Sequence, residues 1–287
     1  MERSAGHLGD YLRARREQLQ PEDVGLRREA SRRVPGLRRE EVAALAGISP
    51  EYYLRLEQGR DRHPSVQVVR ALSLALSLDG AGAAYLERLV RPPEPSRSGG
   101  TPEGRADQLG ALLQMIERWR DVPAYVTDAN LDVVLSNPLA DRLGGGTMSR
   151  GANRALVMFS PQYRALVPDW PDRAAELVGA LRLDGDQRDP RLQQVVGLLS
   201  VRDPTFRTLW ARQEVHRFVR GTCVVPVEPF GTVRFRWQNL QVPGAHPYTV
   251  TTLFADAGSR AAGVLAFLAA QVLESADLTQ QPVVRSS

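Results

Sequence analysis

The chain has 287 residues, 43% of them hydrophobic and 24% charged, with a formal net charge of +4 and all 37 basic residues Arg. The lone Cys223 excludes an intrachain disulfide framework, and no apolar run approaches the roughly 18 residues that a membrane span needs. With no signal peptide, these features predict a reducing, cytoplasmic setting; the length allows two domains, and Arg without Lys, with abundant Ala, Gly and Pro, predicts a high-G+C bacterial genome.

Leu8 to Gln18 reads as a first helix. From Leu26 to Arg39 the residues Arg27, Arg28, Arg32, Arg33, Arg38 and Arg39 stand against Glu29 alone, a local balance of +5 suited to a phosphate backbone. A second helix follows, with Val42, Leu45 and Ala46 as its buried stripe. Gly47 falls where a helix needs a left-handed residue to stop. Ser49 then offers an N-cap oxygen, Pro50 suits the first helical position, and Glu51 favours the positive helix start. Tyr53 and Leu56 point to the preceding helix, which leaves Pro50, Glu51, Tyr52 and Arg55 outside. Ser65 to Leu76 and Ala81 to Val90 complete five helices, which resemble the XRE (Cro/repressor-like) helix-turn-helix domain.

That resemblance implies double-stranded DNA as partner. Glu51 can accept from a cytosine amino group, Arg55 can read guanine, and Tyr52 can touch a thymine methyl or a phosphate. Ser49 and Pro50 open the same helix. Arg38 and Arg39 before it, and Arg60 and Arg62 after it, are expected on phosphates, with His63 in the same loop. Glu57 is expected to cap or pair internally.

The predicted helix-turn-helix domain covers 1–91, and residues 92–104, rich in Pro, Gly and Ser, read as a linker. A second domain spans 105–275 and a disordered tail 276–287. Its opening helix carries Leu109, Leu112, Leu113, Ile116 and Trp119. Ala124–Thr127 and Leu131–Ser136 form a hairpin, and Asn137 caps a helix through Leu143. A helical middle follows. Strands are predicted at Thr222–Val227, Thr232–Asn239 and Tyr248–Phe254, the first two joined at Pro229-Phe230-Gly231, before a last helix capped by Ser259. The class is therefore α+β, with a PAS-like second domain: a five-stranded antiparallel sheet with helices on one face.

The whole chain resembles the MmyB-like transcriptional regulators of actinobacteria. The first domain carries Val34-Pro35-Gly36-Leu37-Arg38-Arg39-Glu40-Glu41-Val42 and Leu56-Glu57-Gln58-Gly59-Arg60. The second carries Tyr125-Val126-Thr127-Asp128, Asn137-Pro138-Leu139-Ala140, Pro168-Asp169-Trp170, Asp189-Pro190-Arg191-Leu192 and Phe206-Arg207-Thr208-Leu209-Trp210-Ala211. The resemblance implies a regulator whose PAS-like half holds a small apolar molecule, with a fatty acid the ligand associated with the family. The chain departs from the family pattern at Gln213-Glu214, where His-Asp is frequent, and at Cys223 and Pro226-Val227-Glu228, where a basic residue and His-Pro are usual.

Trp170, Phe206, Trp210, Phe235 and Trp237 either line the ligand cavity or build ordinary core. His216 either anchors a carboxylate or is a satisfied surface histidine, and Cys223 reads as a structural thiol rather than a redox switch. No catalytic motif or metal-ligand spacing appears, and Gly144-Gly145-Gly146 reads as a loop rather than a dinucleotide fingerprint. The favoured reading is a ligand-responsive regulator acting as a homodimer, because paired recognition helices match paired half-sites. A DNA-anchored protein-interaction module and an enzyme with a DNA-binding appendage are the alternatives.

Overall fold

The computed structural model describes residues 4–28, 34–61, 63–91, 101–244 and 246–280. The chain divides into two compact units: residues 1–96 with 173–217, and residues 97–172 with 218–287.

In the first unit, α1 (Ser4–Gln18), α2 (Arg39–Leu45), α3 (Pro50–Glu57), α4 (Val66–Ala75) and α5 (Gly80–Val90) form the expected five-helix domain. Its stop and start signals act through backbone geometry. Gly47 takes a φ of 65°, and the Ile48 N–H donates to the Ala43 carbonyl at 3.0 Å, closing α2. Ser49 then accepts the Tyr52 N–H at 3.1 Å and opens α3. Gly59, at φ 67°, ends α3 in the same way, with the Arg60 N–H on the Arg55 carbonyl at 2.9 Å.

The core of this domain gathers Leu8, Tyr11, Leu12, Leu37, Val42, Tyr53, Leu56, Val69, Leu72, Leu76, Tyr85 and Leu86. Leu45, expected in the buried stripe, is 40% exposed; Ala43 turns inward with Val42 and Ala46. Small residues fit there because α2 lies close to its neighbours.

The same unit contains most of α10 (Trp170–Asp184), α11 (Pro190–Arg202) and α12 (Pro204–Ala211). Leu183 and Val215 join the helix-turn-helix core, and Gln18 Nε2 donates to the Arg212 carbonyl at 2.7 Å. The segment 173–217, within the expected second domain 105–275, thus falls in the same compact unit as the DNA-binding helices.

In the second unit, β1 (Ala124–Thr127), β2 (Val133–Ser136), β3 (Arg220–Val227), β4 (Gly231–Val242) and β5 (Tyr248–Phe254) make one antiparallel sheet in the order β2-β1-β5-β4-β3. One face carries Tyr125, Val225, Phe235, Trp237 and Leu253 and is packed by α7 (Pro138–Gly144) and α13 (Arg260–Gln280). The other carries Ala124, Val126, Tyr248 and Val250 and is packed by Leu112 and Ile116 of α6 (Pro102–Glu117). Helices thus cover both faces, not one, and β1 between them is buried along its whole length. Two short helices, α8 (Arg154–Met158) and α9 (Pro161–Leu166), follow α7.

Three boundaries move. Thr101 caps α6, so the last part of the expected linker 92–104 is helical; residues 92–100 lie outside the described residues. Trp119 falls beyond the end of α6, and α13 continues to Gln280 into the expected tail, with 281–287 again outside the described residues.

Candidate DNA interface and ligand-binding half

The helix α3 spans eight residues, about 12 Å at 1.5 Å per residue, comparable to the width of a major groove. Pro50, Glu51 and Arg55 are exposed on it, as is Ser49 at its cap. Tyr52 is half-buried: it packs against the domain core, and the Arg55 guanidinium carbon lies 5.3 Å from its ring centroid. Burial and the nearby Asp61 carboxylate push the Tyr52 phenol up, against the opposing pull of Arg55, so it stays a neutral donor and acceptor. Arg60 and His63 are exposed beyond the helix; Arg62 lies outside the described residues, as do 29–33 of the basic stretch.

Glu57 closes α3 from inside. Its carboxylate is fully buried and accepts Arg16 Nε at 2.6 Å on one oxygen and Arg39 Nε at 2.6 Å on the other. Burial pushes this carboxyl up, but the hydrogen bonds from Arg16 and Arg39 outweigh it, and Glu57 titrates below the ordinary carboxylate range. Arg39, expected on phosphate, is therefore held by Nε, and its side chain remains 48% exposed. Arg38 lies half-buried at the start of α2, with its N–H on Glu41 Oε2 at 2.6 Å and its guanidinium 3.8 Å from Glu40. Sequence reading did not find Arg16. Its only signal was a position one helix away, with no spacing rule linking it to Glu57.

The ligand candidates fall in both compact units. In the second, Phe235 and Trp237 share the inner sheet face, with the Phe218 ring 4.3 Å from Trp237. Trp170 is buried, donates Nε1–H to the Met158 carbonyl at 2.8 Å and meets Phe159 edge-on at 5.4 Å. In the first, Phe206 is fully buried and stacks on Trp210 at 5.8 Å. Trp210 covers Arg182, whose guanidinium carbon lies 3.9 Å from the ring centroid. Arg182, only 1% exposed, donates to the Trp210 carbonyl and the Gln213 side chain. Gln213, one of the departures from the family pattern, adopts a left-handed φ of 56° to do so. His216 lies over Gly179, where a Cβ would stand 2.6 Å from its ring, and its Nε2 is 3.8 Å from Glu214 Oε2.

Asn137 organises the sheet-bearing unit. Its Oδ1 accepts the Ala124 and Ala140 N–H groups, and its Nδ2 donates to the carbonyls of Ile116, Trp119 and Val122. One buried side chain thereby ties α6, β1 and α7 together. Among the described residues no group of three or more His, Cys, Asp or Glu is placed to hold a metal, and no helix is long and apolar enough to cross a membrane.

A search of curated proteins gives no match. Among solved structures, one described as "Structure of an RNA-binding Light-Oxygen-Voltage Receptor" is 14% identical, with 84% of this chain and 57% of that chain covered and a TM-score of 0.24, too low to bear on fold or function. The chain thus spans little more than half the length of that protein. A helix-turn-helix family model matches residues 7–86. The model of the MmyB-like transcription regulator ligand binding domain matches residues 110–268, more than half of the chain. The chain belongs to the MmyB-like family of helix-turn-helix transcription regulators.

Proposed function

We propose that this regulator binds a paired operator as a homodimer in the cytoplasm, and that a small apolar ligand, a fatty acid or a similar metabolite, modulates that binding. Arg55 and Glu51 read base edges, Tyr52 supports Arg55, and Arg38, Arg60, Arg62 and His63 follow the phosphates, with the outer nitrogens of Arg39. Phe235 and Trp237 belong to the apolar wall that meets the ligand.

One observation carries the reading. The segment 173–217 lies inside the ligand-binding match, yet it packs in the same compact unit as the DNA-binding helices. A ligand that favours one arrangement of this segment biases the helices docked on it, by as much as its affinity differs between arrangements.

Titration of the purified protein against its own upstream DNA at fixed salt, before and after delipidation, tests this. A changed affinity is the expected result. Unchanged, sequence-specific binding would retain the DNA reading and reject the apolar effector.

A further inference from the structure

The last helix, α13, is apolar on two faces. Ala261, Val264, Leu265, Leu268 and Ala269 are buried in the core of the sheet-bearing unit. On the opposite side Gly263, Ala266, Phe267, Ala270 and Leu273 are exposed, Phe267 by 43% and Leu273 by 42%. Half-buried Phe230, from the turn between β3 and β4, meets the Phe267 ring edge-on at 5.1 Å and widens this outer surface. No charged residue occurs from 261 to 273; Arg260 and Glu274, both exposed, close the stripe at its two ends.

A helix that is apolar all round is ordinarily covered. Along the outer face Arg260, Gly263, Phe267, Ala270 and Glu274 follow one another at alternating intervals of three and four residues. That is the spacing by which one helix meets another along a seam.

The end charges select the partner. Arg260 and Glu274 each stand seven residues from Phe267, about 10 Å along the helix axis. An identical helix turned antiparallel about Phe267 therefore brings each Arg260 level with the partner's Glu274, whereas a parallel copy would set like charges together. Arg260 stands in the first turn of α13, where the helix start disfavours a cation, and its guanidinium donates to the Phe230 carbonyl. Among the described residues neither Arg260 nor Glu274 has an ion-pair partner within the chain. The face is thus self-complementary, as a two-fold interface requires.

We propose that the outer face of α13 is where two copies of this chain meet, antiparallel about a two-fold axis at Phe267. This rests on the homodimer reading and names the surface that serves it.

Sedimentation equilibrium of the purified full chain over a range of concentrations tests it. The wild type should dimerise, and Ala270→Glu should weaken the dimer at least tenfold. Gly263→Glu serves if that variant does not fold, because a Cβ at Gly263 meets nothing within 4 Å in the single chain. Glu274→Arg should also weaken the dimer, and adding Arg260→Glu to it should restore much of the loss. A wild-type dimer that is unchanged in the folded variants, or one that the charge exchange does not restore, would overturn this surface and leave the homodimer reading standing. A wild type that stays monomeric throughout would overturn both, and its cosedimentation with phosphatidylcholine vesicles would assign the face to lipid instead.

Discussion

Arg16 of α1 and Glu57 at the end of α3 meet at 2.6 Å inside the helix-turn-helix core, and Arg16 also donates to the Leu37 carbonyl at 2.9 Å. The recognition helix is thus fixed by its buried end, while its other end is free for DNA. Glu57→Ala removes the shared counter-charge of a buried arginine, and we expect a loss of about 3–5 kcal/mol in urea unfolding. A smaller loss, within 1 kcal/mol (about the value of an exposed pair), would show that the pair does not hold the helix.

The same carboxylate sets an acid limit. Because its folded pKa lies below its unfolded value, its contribution is complete above the ordinary carboxylate range and is lost as pH falls through that range to the folded value. Wild-type stability should therefore decline on acidification more steeply than that of Glu57→Gln, as read by thermal unfolding at a series of pH values. Parallel declines would assign the acid sensitivity elsewhere.

Gly9 lies where α1 crosses the end of α3: a Cβ there would stand 2.1 Å from the Glu57 carbonyl oxygen. Backbone cannot give way as a side-chain tip can. Gly9→Ala should shift the recognition helix and weaken operator binding at least tenfold, even where the circular dichroism spectrum remains helical. Unchanged affinity would mean that the two helices separate without consequence.

Arg55 and Arg60 should divide by sequence dependence. Arg55→Ala is expected to cost about 1–3 kcal/mol of discrimination between operator and random DNA. Arg60→Ala should weaken both alike and reduce the salt slope by about 1. Equal losses on both DNAs for both variants would defeat the assignment of Arg55 to base edges.

Asn137 joins three elements through five hydrogen bonds and is 1% exposed. Asn137→Ala strands several buried backbone groups, at about 1–3 kcal/mol each before relaxation. Denaturant unfolding should show a loss of at least about 3 kcal/mol. Asn137→Asp should be no better, since an acceptor-only carboxylate would face the carbonyls of Ile116, Trp119 and Val122. Rescue by Asp would contradict this network.

Much of the architecture was legible in sequence, because its signals are local. Gly47, Ser49 and Pro50 specify a helix stop and start through φ preference and side-chain capping, and both lie where those residues predict. Asn137 likewise announced its helix. Alternation in Arg234-Phe235-Arg236-Trp237 set which face of β4 is buried, and the strand order agrees with the PAS-like topology.

What sequence could not supply were pairings between distant segments. Nothing near Arg16 indicates Glu57, and nothing near Arg182 indicates that Trp210 covers it. The tight packing around Ala43, which leaves Leu45 outside, depends on the approach of neighbouring helices rather than on helical period. The grouping of 173–217 with the DNA-binding helices is likewise a matter of which apolar surfaces meet. Local conformational preference and hydrophobic period are written in successive residues, whereas burial and ion pairing arise only when segments far apart in the chain are brought together.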